Sequence, residues 1–136
     1  MTNRHTQTFT AAPEHIDEMD HVNNAVWLQW VQAVATAHWE AVASPEHVAT
    51  YVWFAVRHEI DYRGNIGLGE TVTAETYLPA APTGARFERR VDFTNADGKV
   101  IVQVKSIWAI IERASGRLVR IPKAVSDPFG PFGDAG

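Results

Sequence analysis

The 136-residue sequence contains no cysteine. A disulfide framework, a thiolate metal centre and a cysteine nucleophile are therefore excluded, and a reducing compartment is compatible with the chain. Long apolar runs are missing too. No stretch approaches the ~20 apolar residues of a membrane helix, and the polar opening from Met1 to Thr10 lacks the apolar segment of a secretory signal. A soluble, cytoplasmic protein with no membrane partner is the expectation. Basic residues are few, 12 against 16 acidic for a net charge of −4, which argues against a nucleic-acid partner. There is no Gly-rich phosphate loop and no Gly-x-Ser-x-Gly elbow. The six histidines show no recognised ligand spacing, so no metal site is expected.

What is present suits one globular domain, with 46% hydrophobic and 21% charged residues. Charge is unevenly spread: residues 1–80 hold 3 basic and 10 acidic side chains, and residues 81–136 hold 9 and 6. This fits either a local anion site or scatter over solvated faces.

From Asn23 to Ala43 the chain has no Gly or Pro, and Val26, Trp27, Trp30, Val31, Val34 and Ala41 recur at helical spacing. Asn23 or Asn24 is a natural N-cap, and Ser44-Pro45 ends the helix. Its scarcity of charge predicts burial around most of the circumference. A strand is expected over Gln7–Thr10. From Tyr51 the period becomes two: Val52, Phe54, Val56, His58, Ile60 and Tyr62 alternate with Trp53, Ala55, Arg57, Glu59 and Asp61. Further strands are expected over Thr71–Leu78, Arg86–Thr94, Val100–Glu112 and Arg117–Ile121, with a hairpin turn at Asn95–Gly98. Pro128–Gly133 reads as a mobile tail. One apolar helix facing a meander of antiparallel strands predicts an α+β layer in which the sheet wraps the helix. Strands this long leave a sheet face uncovered, which predicts a homodimer or larger assembly.

The stretch Asp17-Glu18-Met19-Asp20-His21-Val22-Asn23-Asn24 places carboxylates, an imidazole and two amides just before the apolar helix. Unpaired N–H groups at a helix start suit a developing oxyanion, and a nearby carboxylate can attack a carbonyl or activate water. On the residues alone, simple capping accounts for the same pattern.

Asp-x-x-x-His-Val-Asn-Asn followed by an apolar-aromatic helix resembles the signature of hotdog-fold acyl thioesterases, in the 4-hydroxybenzoyl-CoA thioesterase group related to acyl-ACP thioesterases. His58-Glu59-Ile60-Asp61-Tyr62-Arg63, Gly67-Leu68-Gly69-Glu70, Asp97-Gly98-Lys99 and Gly116-Arg117-Leu118-Val119-Arg120-Ile121-Pro122 extend the likeness from about Thr8 to Ala124. The resemblance implies an α+β hotdog fold: five or six antiparallel strands around one long central helix. Residues 1–127 would form the single domain and 128–136 a flexible tail. It implies an acyl-CoA or acyl-carrier-protein thioester as substrate, coenzyme A entering only as part of it, and a homodimer or a dimer of dimers. Asp17 falls on the family's catalytic carboxylate, and the amides near Asn23 and Asn24 on its carbonyl-polarising position. His21 and Asn23 match positions used by the plant branch, with a structural role favoured for His21. Arg86, Arg89, Arg90, Arg120 and Lys123 are the candidates for the coenzyme A phosphates, although strand alternation sets Arg89 opposite Arg86 and Arg90. Glu59 and Tyr62 fall near the implied acyl pocket. The sequence departs from the family at Asp20, where glycine is usual, and at Met19 and Asn65, where the plant branch has catalytic polar and acidic groups. The rival functions are a non-catalytic acyl-CoA binding protein and a hotdog dehydratase.

Overall fold

Apolar residues three and four apart make one helix, α1 (Asn24–Val42), which buries Val26, Trp27, Trp30, Val31, Val34, Ala35, His38 and Trp39. The computed structural model describes residues 3–132. Asn23 is the N-cap; its Oδ1 accepts from the Ala25 amide at 2.9 Å. Burial covers eight of the 19 helical residues. The expectation of burial around most of the circumference is corrected: Gln29, Gln32, Thr36 and Glu40 form an open stripe. Ser44 ends this helix and starts another, because its Oγ accepts from the His47 amide at 3.1 Å and Pro45 fits the first turn of α2 (Pro45–Thr50). Among the described residues no helix is long and apolar enough to cross a membrane.

Six strands follow the alternating segments: β1 (Arg4–Thr10), β2 (Tyr51–Tyr62), β3 (Thr71–Tyr77), β4 (Phe87–Thr94), β5 (Val100–Glu112) and β6 (Arg117–Val119). They form one antiparallel sheet in the order β1-β3-β4-β5-β2, with β6 on β5. The expected unbroken alternation along β2 is corrected by a bulge between Ala55 and Arg57. Trp53 and Ala55 thereby join His58 and Ile60 as the half-buried set, while Val52, Phe54 and Val56 are exposed. One extra residue reverses the side of everything beyond it.

Two apolar clusters hold α1 to the sheet. Trp27, Trp30, Val31, Val72, Phe93 and Val102 belong to the first. Trp39, Leu78, Phe87, Ile110, Val125 and Phe129 belong to the second. The expected mobile tail is corrected for residues 128–132. Asp127–Phe129 makes a 3-10 turn after a short helix, α3 (Lys123–Ser126), and Phe129 is 1% exposed against Trp39 and Phe87. An apolar ring among proline and glycine finds a slot in the core, and that burial outweighs the local breakers. Residues 133–136 lie outside the described part.

The chain enters α1 through a tight hairpin. Asp17 N donates to His21 O at 2.8 Å, Asn23 N donates to His15 O at 2.9 Å, and Ile16 bridges Val22. Asp20 turns it with φ 62°; it is the described non-glycine residue with positive φ. Glycine takes this backbone conformation freely, and aspartate is among the few other residues tolerated there.

Two stability outcomes follow from this packing. Phe129→Ala is expected to cost about 3–5 kcal/mol in urea unfolding, against no loss for a truly mobile tail. Asp20→Val is expected to cost about 1 kcal/mol or more, while Asp20→Gly keeps full stability; equal losses in both would remove the left-handed turn from the account.

Candidate active site

Asp17 is half-buried, and its Oδ1 accepts from the amides of Met19 at 2.9 Å and His21 at 3.3 Å. The other oxygen, Oδ2, has no hydrogen-bond partner among the described residues. The carboxylate is thus held by one oxygen and offers the second. His21 serves the hairpin through its backbone, while its ring is exposed and makes no hydrogen bond among the described residues.

The helix entrance can be resolved amide by amide. Asn23 N is engaged by the His15 carbonyl, Ala25 N by Asn23 Oδ1, and Val26 N by Asn23 O at 2.9 Å. The Asn24 N–H meets no acceptor among the described residues. It is the first helical amide, where the dipole leaves partial positive charge. Asn23 therefore acts as a cap, and Asn24 supplies the available donor.

Asn65, read from sequence as a departure from the plant branch, clamps this entrance. Its Oδ1 accepts from Val22 N at 3.1 Å and Ile66 N at 2.8 Å, and its Nδ2 donates to Val22 O at 3.3 Å. The glycine-acid turn closes beside it: Glu70 Oε1 accepts from Gly67 N at 2.5 Å, and Gly69 N donates to Ala11 O at 2.9 Å. Tyr62 reaches the same place, its hydroxyl donating to Asn24 O at 3.4 Å, and partial burial raises its pKa above the ordinary phenol value. Glu59 does not join it. Three strand positions away, it faces the other side, pairs with Arg57 at 3.0 Å and lines a shallow groove with Asp61, Arg90 and Lys105.

The five basic candidates fall in three places. Arg86 and Arg120 are exposed on adjoining segments, because Ile121 N donates to Gly84 O at 3.0 Å, and exposed Lys123 follows with its Nζ 2.9 Å from Asp127 Oδ2. Arg90 is on the sheet face away from α1, its Nε donating to Glu88 Oε2 at 2.5 Å. Arg89 is corrected as a member of any surface phosphate groove. It is 6% exposed on the inner face, and Nη1 donates to His38 Nδ1 and to Thr76 Oγ1, both at 2.9 Å.

The inner face holds polar groups that the sequence reading did not single out. His58 Nδ1 lies 2.6 Å from Ser106 Oγ, and burial lowers the His58 pKa below its ordinary value. His38 is fully buried within α1. The available signal was their parity: His38 repeats at helical spacing with Val31, Val34 and Ala35, and Ser106 shares a strand face with Val104 and Trp108.

Residues 11–129 match the sequence profile of the Thioesterase-like superfamily. No curated protein sequence matches the chain. Among solved structures, a hypothetical protein from Staphylococcus aureus in complex with CoA is 22% identical, covering 93% of this chain and 80% of that one with a TM-score of 0.76. A gentisyl-coenzyme A thioesterase is 14% identical over 93% of this chain and 100% of that one, TM-score 0.81. An acyl-ACP thioesterase from Bacteroides thetaiotaomicron is 20% identical over 96% of this chain, TM-score 0.78, but the match spans only 56% of that protein. These likenesses carry the fold, and the profile match carries the family. The chain belongs to the thioesterase-like superfamily and, with that family, is a thioester hydrolase.

Proposed function

We propose that the protein is an acyl-CoA thioesterase in which Asp17 is the catalytic carboxylate and the start of α1 is the oxyanion site. The observation that carries this reading is an unengaged Asp17 Oδ2 and an unengaged Asn24 N–H on one hairpin, where the amides of Asp17, Met19, Asp20, His21, Asn23, Ala25 and Val26 are all engaged. The thioester oxygen would accept from Asn24 N–H as charge develops on it. Asp17 Oδ2 would either attack the carbonyl carbon, giving an anhydride that water then opens, or take a proton from the attacking water. The carbon–sulfur bond breaks and the thiol leaves with a proton. The left-handed Asp20 adopts a backbone conformation that glycine also takes readily, so this departure from the resembled pattern leaves the turn intact.

The coenzyme A phosphates would lie against Arg86, Arg120 and Lys123, which share one stretch of surface and offer paired donors and point charge to phosphate. Acyl-carrier protein is the alternative carrier on the same grounds. A homodimer is part of the reading. Among the described residues β2 is a 12-residue strand paired only on its β5 side, with Val52, Phe54 and Val56 exposed; a second copy along that edge would cover it and wall the cleft beside α1. With the helix enclosed in that way, the architecture would be the hotdog fold that the sequence resembles.

The test is release of free thiol from a panel of aromatic and short-to-long aliphatic acyl-CoAs. Asp17→Asn keeps an oxygen for the Met19 and His21 amides, so its loop persists while the carboxylate is gone. Its kcat should fall by about 10²-fold or more. Full activity in that variant defeats the assignment of Asp17, and saturable acyl-CoA binding without thiol release selects the non-catalytic rival.

A further inference from the structure

Between α1 and β2 lies a cavity of about 160 Å³, lined among others by Trp39, Tyr51, Trp53, Arg89 and Trp108. An engineered cavity of ~150 Å³ holds a benzene ring, so this one takes a six-membered ring or a short chain. Its lining carries the donor side chains of Arg89, Trp53 and Trp108 beside the hydroxyls of Thr36 and Tyr51. Arg89 makes its hydrogen bonds from Nη1 alone; Nε and Nη2 have no partner among the described residues. They are the edge of the guanidinium that meets a carboxylate with two parallel bonds. No carboxylate lies within ion-pair distance of Arg89 among the described residues. The indole nitrogens of Trp53 and Trp108 are buried without a partner among the described residues, and an indole N–H can only donate. His38 and Thr76 accept from the Nη1 end, and the Phe129 ring covers the guanidinium at 5.6 Å. These three contacts hold the Nη1 end and one face of the fork and leave Nε and Nη2 unengaged among the described residues, in a side chain that lines the cavity. Glu40 and Arg113 stand at the solvent side, exposed and opposite in charge, so neither sign dominates the mouth.

We propose that this cavity is a carboxylate-binding site: the Nε/Nη2 edge of Arg89 and the indole N–H groups of Trp53 and Trp108 hold the carboxylate of a small organic acid, and the tryptophan and tyrosine rings hold its apolar body. Buried polar groups are normally satisfied, and an uncompensated buried guanidinium is costly. One carboxylate meets three orphaned donor groups at once and neutralises the charge. Burial without a counter-charge already pushes the Arg89 pKa down to about 9, a cost that such an anion removes. The acid has two sources of the same chemistry: a free carboxylic acid, or the distal carboxylate of an acyl group. A second cavity shares Trp53 and Trp108 and runs past Thr36 and His58 to Gln32, towards the start of α1. The second source rests on the thioesterase function proposed above; the first does not.

Calorimetric titration with benzoate and with the neutral isostere benzamide tests the site. Saturable benzoate binding at one per chain is expected, with benzamide weaker by about tenfold or more. Trp53→Phe and Trp108→Phe keep the ring and remove the N–H, and each should weaken benzoate by about three- to tenfold without moving benzamide. Arg89→Met should abolish the preference; should that variant not fold, the two tryptophan variants decide. Equal binding of benzoate and benzamide, no binding of either, or benzoate affinity untouched in both tryptophan variants would overturn the proposal. Benzoate raising KM for an acyl-CoA at constant kcat assigns the acyl group as the source, and unchanged KM assigns the free acid. A protein that binds benzoate as described and releases no thiol from any acyl-CoA would refute the function proposed above and leave this site standing.

Discussion

The position of the α1 start depends on two indoles. Trp27 is fully buried with its ring edge on Phe93 at 4.9 Å, and Trp30 stacks on Phe9 at 5.2 Å and meets the edge of His15 at 5.3 Å. Removing a buried tryptophan costs about 3–5 kcal/mol, while the Asn23 cap is worth about 1 kcal/mol. Core packing therefore sets where the helix begins, and the cap adjusts its first turn. His15 carries this anchoring into the loop: its Nδ1 accepts from Ala12 N at 2.9 Å, and its carbonyl receives Asn23 N at 2.9 Å. Asp17 sits between these two fixed points. Its carboxylate is oriented by the Met19 and His21 amides, and His15 ties that hairpin to Trp30; for the role proposed above this is pre-organisation.

The strongly periodic elements were legible in the sequence because their packing is regular. The helix over 24–42 and the strands over 51–62 and 100–112 follow runs of Val, Ile, Trp and Ala whose period leaves little choice. The side assignment along β2 was not legible. A bulge changes no residue type, so Val52 and His58 read as one face until the extra residue at 56 is seen. Nor was α2, because Ser-Pro marks a helix end and a helix start with the same letters. Phe129 was hidden by its neighbours: Asp127-Pro128 and Gly130-Pro131 break a helix or strand pattern but do not forbid burial. At the candidate site, Asp17 and the asparagines were visible as a capping pattern, and only the family resemblance raised them above one. The roles within that pattern needed geometry, since which of Asn23 and Asn24 keeps a free amide depends on where the His15 carbonyl falls.

The inner face of the sheet poses a question of energetics that stability does not answer. Ser106 pairs in register with His58 on β2 and with Arg89 on β4, and Arg89 reaches Thr76 on β3 and His38 on α1. A polar line thus crosses the sheet beneath the helix, between the cluster around Trp27 and the cluster around Phe129. Arg89 only donates, so the His38 nitrogen it meets is unprotonated and that ring carries its proton on Nε2. The arrangement holds one positive charge, buried, with neutral partners. Replacing such groups by apolar side chains of similar volume is commonly neutral or stabilising, so folding alone gives no reason to keep a guanidinium here. The contrast with Arg90 sharpens the point. One residue along the strand, Arg90 has Glu88 as a counter-ion on the solvated face, where a charge costs little and the pair adds little. Among the described residues Arg89 has the costly position and no counter-ion, and a carboxylate in the neighbouring cavity, as proposed above, would supply the compensating charge.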